Sequence, residues 1–449
     1  MTANPMTMTA QIAAQANQRR WQDIPEQVRE VARHAMLDWF GVALAGHQTP
    51  LVDVLLSLAR TDGATPIATV IGYKQKVSLP QAALINGAAS HALDFDDVHP
   101  LAGHPSAAIF PAVLALAQSR HASGAELLTA YVAGFEAMCA LGAAIGPQHY
   151  ERGHHNTATL GVVGAAVACG HLLGMSTDTL ATAIGIAASQ SAGLKINFGT
   201  MTKPFHAGHA AHDGLQAARL AAAGFTAHPA ALDGPIGFLA VLGHGADGDQ
   251  CQIASTSSYY LRSDLFKYHA ACYLTHAAIE SALRIAQRPG FCSKAVVGVR
   301  ITVNPSIQTV CNIAEPASGL AMKFSIAHVV AMALDGRPTA QPEQFSDSEA
   351  VRIAQLPLRR KTTVEFDSGL ALTGARVEVT LTDGTRWCES DDSNSPAKDL
   401  AVQRKKLMDK FRDLNAGLLG KADCQAVMDC LLVIDQNTDI TTLAPLSGN

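Results

Sequence analysis

Val296-Val-Gly-Val-Arg-Ile-Thr-Val303 is where the texture of this chain changes. Apolar and β-branched residues alternate there, the pattern of a strand with one buried face. Similar patterns recur at Arg360–Glu365 and Arg376–Thr382, and the second runs into Thr382-Asp-Gly-Thr385, whose Asp-Gly pair signals a hairpin turn. Upstream, apolar residues recur at helical spacing instead. Ile24–Ala45, Pro80–Leu93, Ser106–Ser119, Ala125–Leu141, Thr157–Leu173, Thr177–Ala192 and Pro204–Ala223 all read as helices, rich in the Ala and Gly that let helices pack closely. Helical patterns at Thr275–Gln287 and Met322–Leu334 lie among the strands, and helix returns over Lys398–Leu432. The reading is mainly α with an α+β part: a helical body interrupted by a smaller α+β unit.

Composition narrows the function. At 449 residues, 48% hydrophobic and 16% charged, the chain can bury a large core. A net charge of −5 without any Lys/Arg tract argues against a nucleic-acid partner or a polybasic membrane contact. The nine cysteines are scattered with no CxxC pair, as in reduced thiols, which disfavours an iron–sulfur centre. The first residues lack a signal-peptide pattern, and the apolar run Leu160–Leu173 is too short for a membrane span. We expect a cytoplasmic protein.

Four polar clusters stand out against this apolar background. His91-Ala-Leu-Asp-Phe-Asp-Asp-Val-His-Pro-Leu-Ala-Gly-His-Pro-Ser106 holds three aspartates and three histidines at the end of a helix and in the following loop. Its residue types suit a metal, but no HExxH, HxH or EF-hand spacing is present, so no metal is expected. A polar loop bonded across itself is the plain alternative. Arg152-Gly-His-His-Asn-Thr157 precedes a helix, with Asn156 or Thr157 as its cap, placing His154 and His155 where the helix dipole favours an anion. In Thr200-Met-Thr-Lys-Pro-Phe-His-Ala-Gly-His209, Pro204 suits a first helical turn and sets Lys203 at the positive end. His206, His209 and His212 follow on that helix. Phe266-Lys-Tyr-His-Ala-Ala-Cys-Tyr-Leu-Thr-His276 sits at the junction of the two parts, a natural cleft lining. Phosphate loops, GxSxG elbows and any dinucleotide fingerprint that follows a strand and opens a helix are missing. Cations with His and Lys near element ends suit proton transfer on a small polycarboxylate, whose enolate-like intermediate needs nearby positive charge.

These four motifs, in this order, resemble the MmgE/PrpD family over roughly Ile12 to Leu432. The family includes 2-methylcitrate dehydratase, cis-aconitate decarboxylase and iminodisuccinate epimerase. The resemblance implies the MmgE/PrpD fold, a large all-helical domain built from both chain ends (1–267 and 396–449) and an α+β lid (268–395). It also implies a homodimer, no metal and no organic cofactor. Carried over motif by motif, it implies Asp94, His104, His155, Lys203 and His276 as catalytic residues. His99, His154, His206, Lys267, His269 and His328 complete the expected substrate-binding set.

Three departures bear on the reaction. Val98 stands where the decarboxylase carries threonine; His269-Ala-Ala-Cys272 replaces a Pro-Ser-Cys form; His328 sits where relatives often have tyrosine. Extra imidazoles suit delivery of a proton to the opposite face of a carbon, so the residues favour an epimerase of iminodisuccinate-type amino-dicarboxylates. A 2-methylcitrate-type dehydratase is the close alternative. Decarboxylation is least favoured because of Val98, and a helical scaffold without chemistry is disfavoured because all five carried-over positions keep reactive side chains. Replacing Lys203 or His104 by alanine is expected to abolish turnover and leave unfolding nearly unchanged.

Overall fold

The computed structural model describes residues 6–243 and 258–442. The helical body is organised by glycines at helix crossings. Leu79–Ala92 and Thr202–Ala222 run so close that a Cβ on Gly87 would lie 2.7 Å from the Gly208 Cα, and one on Gly208 would lie 2.2 Å from the Leu84 carbonyl oxygen. Helix Gly161–Leu172 approaches from the other side, where a Cβ on Gly214 would meet the Val162 carbonyl at 2.6 Å. The crossing has a functional result: the end of the first helix, leading to Asp94, meets the start of the second, carrying Lys203. Gly208→Val forces these backbones apart and is expected to cost about 3 kcal/mol, measurable by denaturant unfolding.

The far end of the chain returns to this body. Leu400–Asn415 lies against Glu26–Gly46, with the Lys410 ammonium 2.6 Å from Asp38 Oδ1 and the Asn415 amide donating to the Gly41 carbonyl at 3.2 Å. Lys410 also donates to the Phe95 carbonyl at 2.6 Å, so a C-terminal helix props the loop after Asp94.

The α+β part is built on a four-stranded sheet. Val296–Val303 lies between Thr362–Phe366, which runs parallel to it, and Gly374–Leu381, which runs antiparallel; Arg386–Asp392 pairs antiparallel outside the last. Helices His276–Ala286 and Ile326–Leu334 bury their apolar faces in the core of this part. Val42, Phe95 and Leu414 of the body enter that same core, which joins the two parts across their junction.

Several segments differ from the sequence reading. The expected helix Thr157–Leu173 is divided at Leu160 into Asn156–Thr159 and Gly161–Leu172, and the cap position is His155 rather than Asn156 or Thr157. Met322–Leu334 breaks after Met322 because tertiary partners take its backbone: Cys272 N–H donates to the Lys323 carbonyl at 2.9 Å and Ile313 N–H to that of Phe324 at 3.0 Å. Lys398–Leu432 splits into Leu400–Asn415 and Lys421–Leu432, around Gly417 and Gly420. The strand expected from Arg360 begins at Thr362, since Pro357–Arg360 forms a helical turn. Helices Met8–Gln18 and Pro50–Asp62 and the short pair Ala68–Thr69 with Lys76–Val77 were not anticipated. Helix Gly124–Ile145 is long and apolar enough to cross a membrane, but it is buried within the body.

Candidate active site

Asp94 follows the helix Leu79–Ala92 with φ of +52°, a left-handed conformation that aspartate tolerates better than most residues. That turn aims a buried carboxylate at two ammonium groups. Lys203 Nζ lies 2.5 Å from Asp94 Oδ1 and Lys267 Nζ 3.0 Å from the same oxygen, with Lys267 also donating to the Asp94 carbonyl at 2.8 Å. A third lysine, Lys323 from the α+β part, donates to the carbonyl of Leu93. All four side chains are buried. Burial pushes the Asp94 carboxyl up, but Lys203 and Lys267 outweigh it and hold the group far below the ordinary carboxylate range. Lys323 moves the other way. Burial, opposed by Asp94 and reinforced by Lys267 and Lys203, brings its ammonium down to about 7.

Imidazoles line one side of this cluster. His104 Nε2 is 4.0 Å from Asp94 Oδ1, and its Nδ1 donates to the Asp97 carbonyl at 2.7 Å with Asp96 Oδ2 at 3.2 Å. His91 donates through Nδ1 to the same Asp96 carboxylate at 2.9 Å, and its ring centre lies 4.5 Å from that of His104. His155 meets His206 through their Nδ1 atoms at 3.0 Å and stacks 6.0 Å from His91. Burial is the leading cause that lowers every one of these rings: His91 to about 3, His206 to about 4, His155 well below its usual value and His104 in the same direction. The rings are therefore neutral at physiological pH. Phe198 and Phe324 close over Lys203, their ring centres 5.3 and 5.0 Å from its Nζ.

Of the five residues carried over as catalytic, Asp94, His104 and Lys203 meet directly, His155 joins them through the imidazole row, and His276 stands at the junction. Its titration is depressed by burial first, then by His269 and Lys267, with Asp94 opposing. His276 also lines a cavity of about 430 Å³ between the two parts, walled by Tyr268, Tyr273, Glu280, Lys398 and Lys406.

The remaining expected residues divide. Lys267 and His206 are in the cluster. His99 turns its ring away, toward Cys139 Sγ at 3.4 Å and the Phe135 ring. His154 stacks on His149 with ring centres 4.2 Å apart. His269 is bonded to Glu280 at 3.0 Å and Thr339 at 2.8 Å, behind His276. His328 is bonded to Ser325 at 2.7 Å and to Arg359 at 3.1 Å. On helix Thr202–Ala222, His209 and His212 turn instead to Asp213. Sequence reasoning missed His91, Asp96 and Lys323, although His91 and Asp96 lie in the first polar cluster and Lys323 is an isolated lysine in an otherwise apolar stretch.

Donor atoms of His91, Asp94, Asp96 and His104 lie within 4.8 Å of one another, the reach of a metal ion. Two ammonium groups already sit on Oδ1 of Asp94, however, so a dication there would have to lie beside two positive charges. The arrangement instead offers ammonium groups for carboxylates, neutral imidazoles, and one lysine able to exchange a proton near neutrality.

Comparison with known proteins follows the same lines. Residues 10–250 match the MmgE/PrpD N-terminal domain and residues 269–434 the MmgE/PrpD C-terminal domain. A cis-aconitate decarboxylase of Aspergillus terreus is 29% identical over 469 residues, covering 98% of this chain and 95% of its own. A human cis-aconitate decarboxylase is 27% identical, covering 94% and 91%. A cis-aconitate decarboxylase-like protein of Aspergillus oryzae is 26% identical, covering 98% and 97%. With both domains matched in order along a chain whose two parts meet at these lysines and histidines, this protein belongs to the MmgE/PrpD family.

Proposed function

We propose that the protein is a cofactor-independent lyase that decarboxylates an unsaturated tricarboxylate of the cis-aconitate type. The observation that carries this is Lys323. Lys203 and Lys267 are engaged by Asp94, whereas Lys323 has no carboxylate partner among the described residues and holds its proton loosely. It is placed to meet a substrate carboxylate or to give a proton to the carbon beside one. In the step itself, that proton adds to the olefinic carbon and the double bond shifts. The bond to the departing carboxylate breaks, its electrons form the new methylene double bond, and CO2 leaves. Lys203 and Lys267 hold the remaining carboxylates, and the buried, neutral imidazoles keep the site dry and oriented. The decarboxylase relatives support the same reading over nearly the whole chain.

Val98 favours a second reading within the lyases: dehydration of a 2-methylcitrate-like hydroxy acid, the same acid protonating the departing hydroxyl. The epimerase expectation rested on Val98 and on His269 and His328 as extra imidazoles serving the opposite face of a substrate carbon. Their bonds to Glu280, Thr339, Ser325 and Arg359 withdraw that motive.

Proton NMR of the purified protein with cis-aconitate, 2-methylcitrate and iminodisuccinate in D2O separates these. We expect the vinylic signal of cis-aconitate to give way to a pair of geminal methylene signals, with release of CO2. Water loss from 2-methylcitrate alone would establish the dehydratase. Unchanged cis-aconitate with interconversion of iminodisuccinate stereoisomers would overturn the lyase reading altogether.

A further inference from the structure

A second acidic feature lies behind the lysines, and the chemistry above makes no use of it. Asp97 and Asp264 are 1% and 3% exposed and lie beside each other, and neither oxygen of Asp264 nor Oδ1 of Asp97 has a hydrogen-bond donor among the described residues. Neither carboxylate has a Lys, Arg or His partner among the described residues. Asp97 Oδ2 accepts from Ser106 Oγ, which lies 2.8 Å from the Tyr131 hydroxyl. Two carboxylates both accept, so they can bond to each other only if one of them carries a proton.

The surroundings demand that proton. Asp96 and Asp38 add negative charge near Asp97, and Asp38 also near Asp264; only Asp38 has a close ammonium, that of Lys410. Tyr131 and Cys139, on the helix Gly124–Ile145, and Tyr273 from the junction face the pair as well, and burial pushes all three up so that they stay neutral. Burial pushes both carboxyls up; the charge of Asp97 comes next for Asp264, whereas for Asp97 the neighbouring Asp264 and Ser106 oppose burial and the charges of Asp96 and Asp38 reinforce it.

The pair joins two segments that matter to the site. Val98 N–H donates to the Leu265 carbonyl at 2.7 Å and Leu265 N–H to that of Val98 at 3.0 Å, so the loop carrying Asp94 and His104 is tied to the strand-like segment carrying Lys267. Asp94 precedes Asp97 by three residues, and Lys267 follows Asp264 by three.

We propose that Asp97 and Asp264 are positioning residues that share a proton, and that this acid pair holds Lys267 in register with Asp94. Loss of the proton sets two like charges in contact at the joint and loosens it. The inference rests on the Asp94 cluster being the reacting site, and it holds whichever polycarboxylate is turned over.

The test uses Asp264→Asn, whose amide can donate to Asp97 but has no proton to lose, and Asp264→Ala, which removes the donor. Because the folded pair holds protons that an unfolded aspartate releases near pH 4, wild-type stability is lost as pH rises toward the folded values. The melting temperature of the wild type should fall a few degrees further between pH 6 and 9 than that of Asp264→Asn. The ratio of Asp264→Asn to wild-type kcat/KM, which cancels every other group's titration, should rise with pH above neutrality. Asp264→Ala should lose about 10²-fold in kcat/KM through misplacement of Lys267, and Asp264→Asn should recover most of it.

Parallel melting profiles for wild type and Asp264→Asn would refute the shared proton. Different melting profiles with a flat activity ratio would confine the pair to stability and refute positioning. If cis-aconitate is not turned over, the reaction reading fails by itself. The pair is then judged on the melting profiles and on whether citrate affinity at rising pH survives better in Asp264→Asn.

Discussion

Lys203→Met should lower kcat/KM for a polycarboxylate by about 10³-fold, the scale of losing one preorganised charge at a reacting site. Lys203 lies 2.5 Å from Asp94 in a buried cluster, with the Phe198 and Phe324 rings over it. The structure also changes the expectation for folding. A solvated Lys203 would be lost without effect on unfolding, but here its removal leaves Asp94 to Lys267 alone. Breaking a buried pair in this way costs on the order of 3 kcal/mol. The sign with pH follows. Because the Asp94 carboxyl is held below its ordinary value, it contributes stability above about pH 4 that disappears as pH falls, and Lys203→Met should shrink that acid-sensitive share. The double variant Asp94→Asn/Lys203→Met removes both charges and should recover much of the stability and none of the turnover. A single variant that keeps a tenth of wild-type activity would remove Lys203 from the reaction.

Lys323→Arg should separate charge from proton. Arginine keeps a cation beside Leu93 but does not give up a proton near neutrality, so KM should stay within a few-fold while kcat falls by about 10², the usual worth of a positioned general acid. Lys323→Met should raise KM as well. In the wild type, the group is protonated below about pH 7 and neutral above it, so the contribution of this acid to kcat declines as pH rises through that value. For stability the sign is opposite. An unfolded lysine keeps its proton to about pH 10, so the folded state is relieved of a buried charge as pH rises from 7, and Lys323→Met should gain stability mainly below pH 7. Equal kcat for wild type and Lys323→Arg across this range would show that Lys323 only binds.

The general architecture was legible because it depends on period. Alternation at Val296–Val303 and helical spacing from Ile24 onward report which faces are buried, and the Asp-Gly of Thr382–Thr385 does form the hairpin between Gly374–Leu381 and Arg386–Asp392. The helix breaks were not legible. The interruption at Lys323 is imposed by hydrogen bonds from Cys272 and Ile313, partners that lie far away in sequence.

The same division holds for the site. Polar residues clustered in an apolar chain are conspicuous, and Asp94, His104, His155 and Lys203 could be picked out by type and motif before any coordinates. Which imidazoles meet the carboxylate could not be seen that way, because a histidine's partners depend on how helices cross. His206 faces inward while His209, three residues on, turns to Asp213. His328 looked like an acid–base group and is bonded to Ser325 and Arg359; Lys323, five residues earlier, drew no reading from the sequence and is buried against the Asp94 loop. Residue order settled most of the elements, the family resemblance and the chemical types available. Only the close approach of helices at Gly87 and Gly208, and the α+β part folding over them, decided which charges are buried together, and it is that burial which sets their proton affinities.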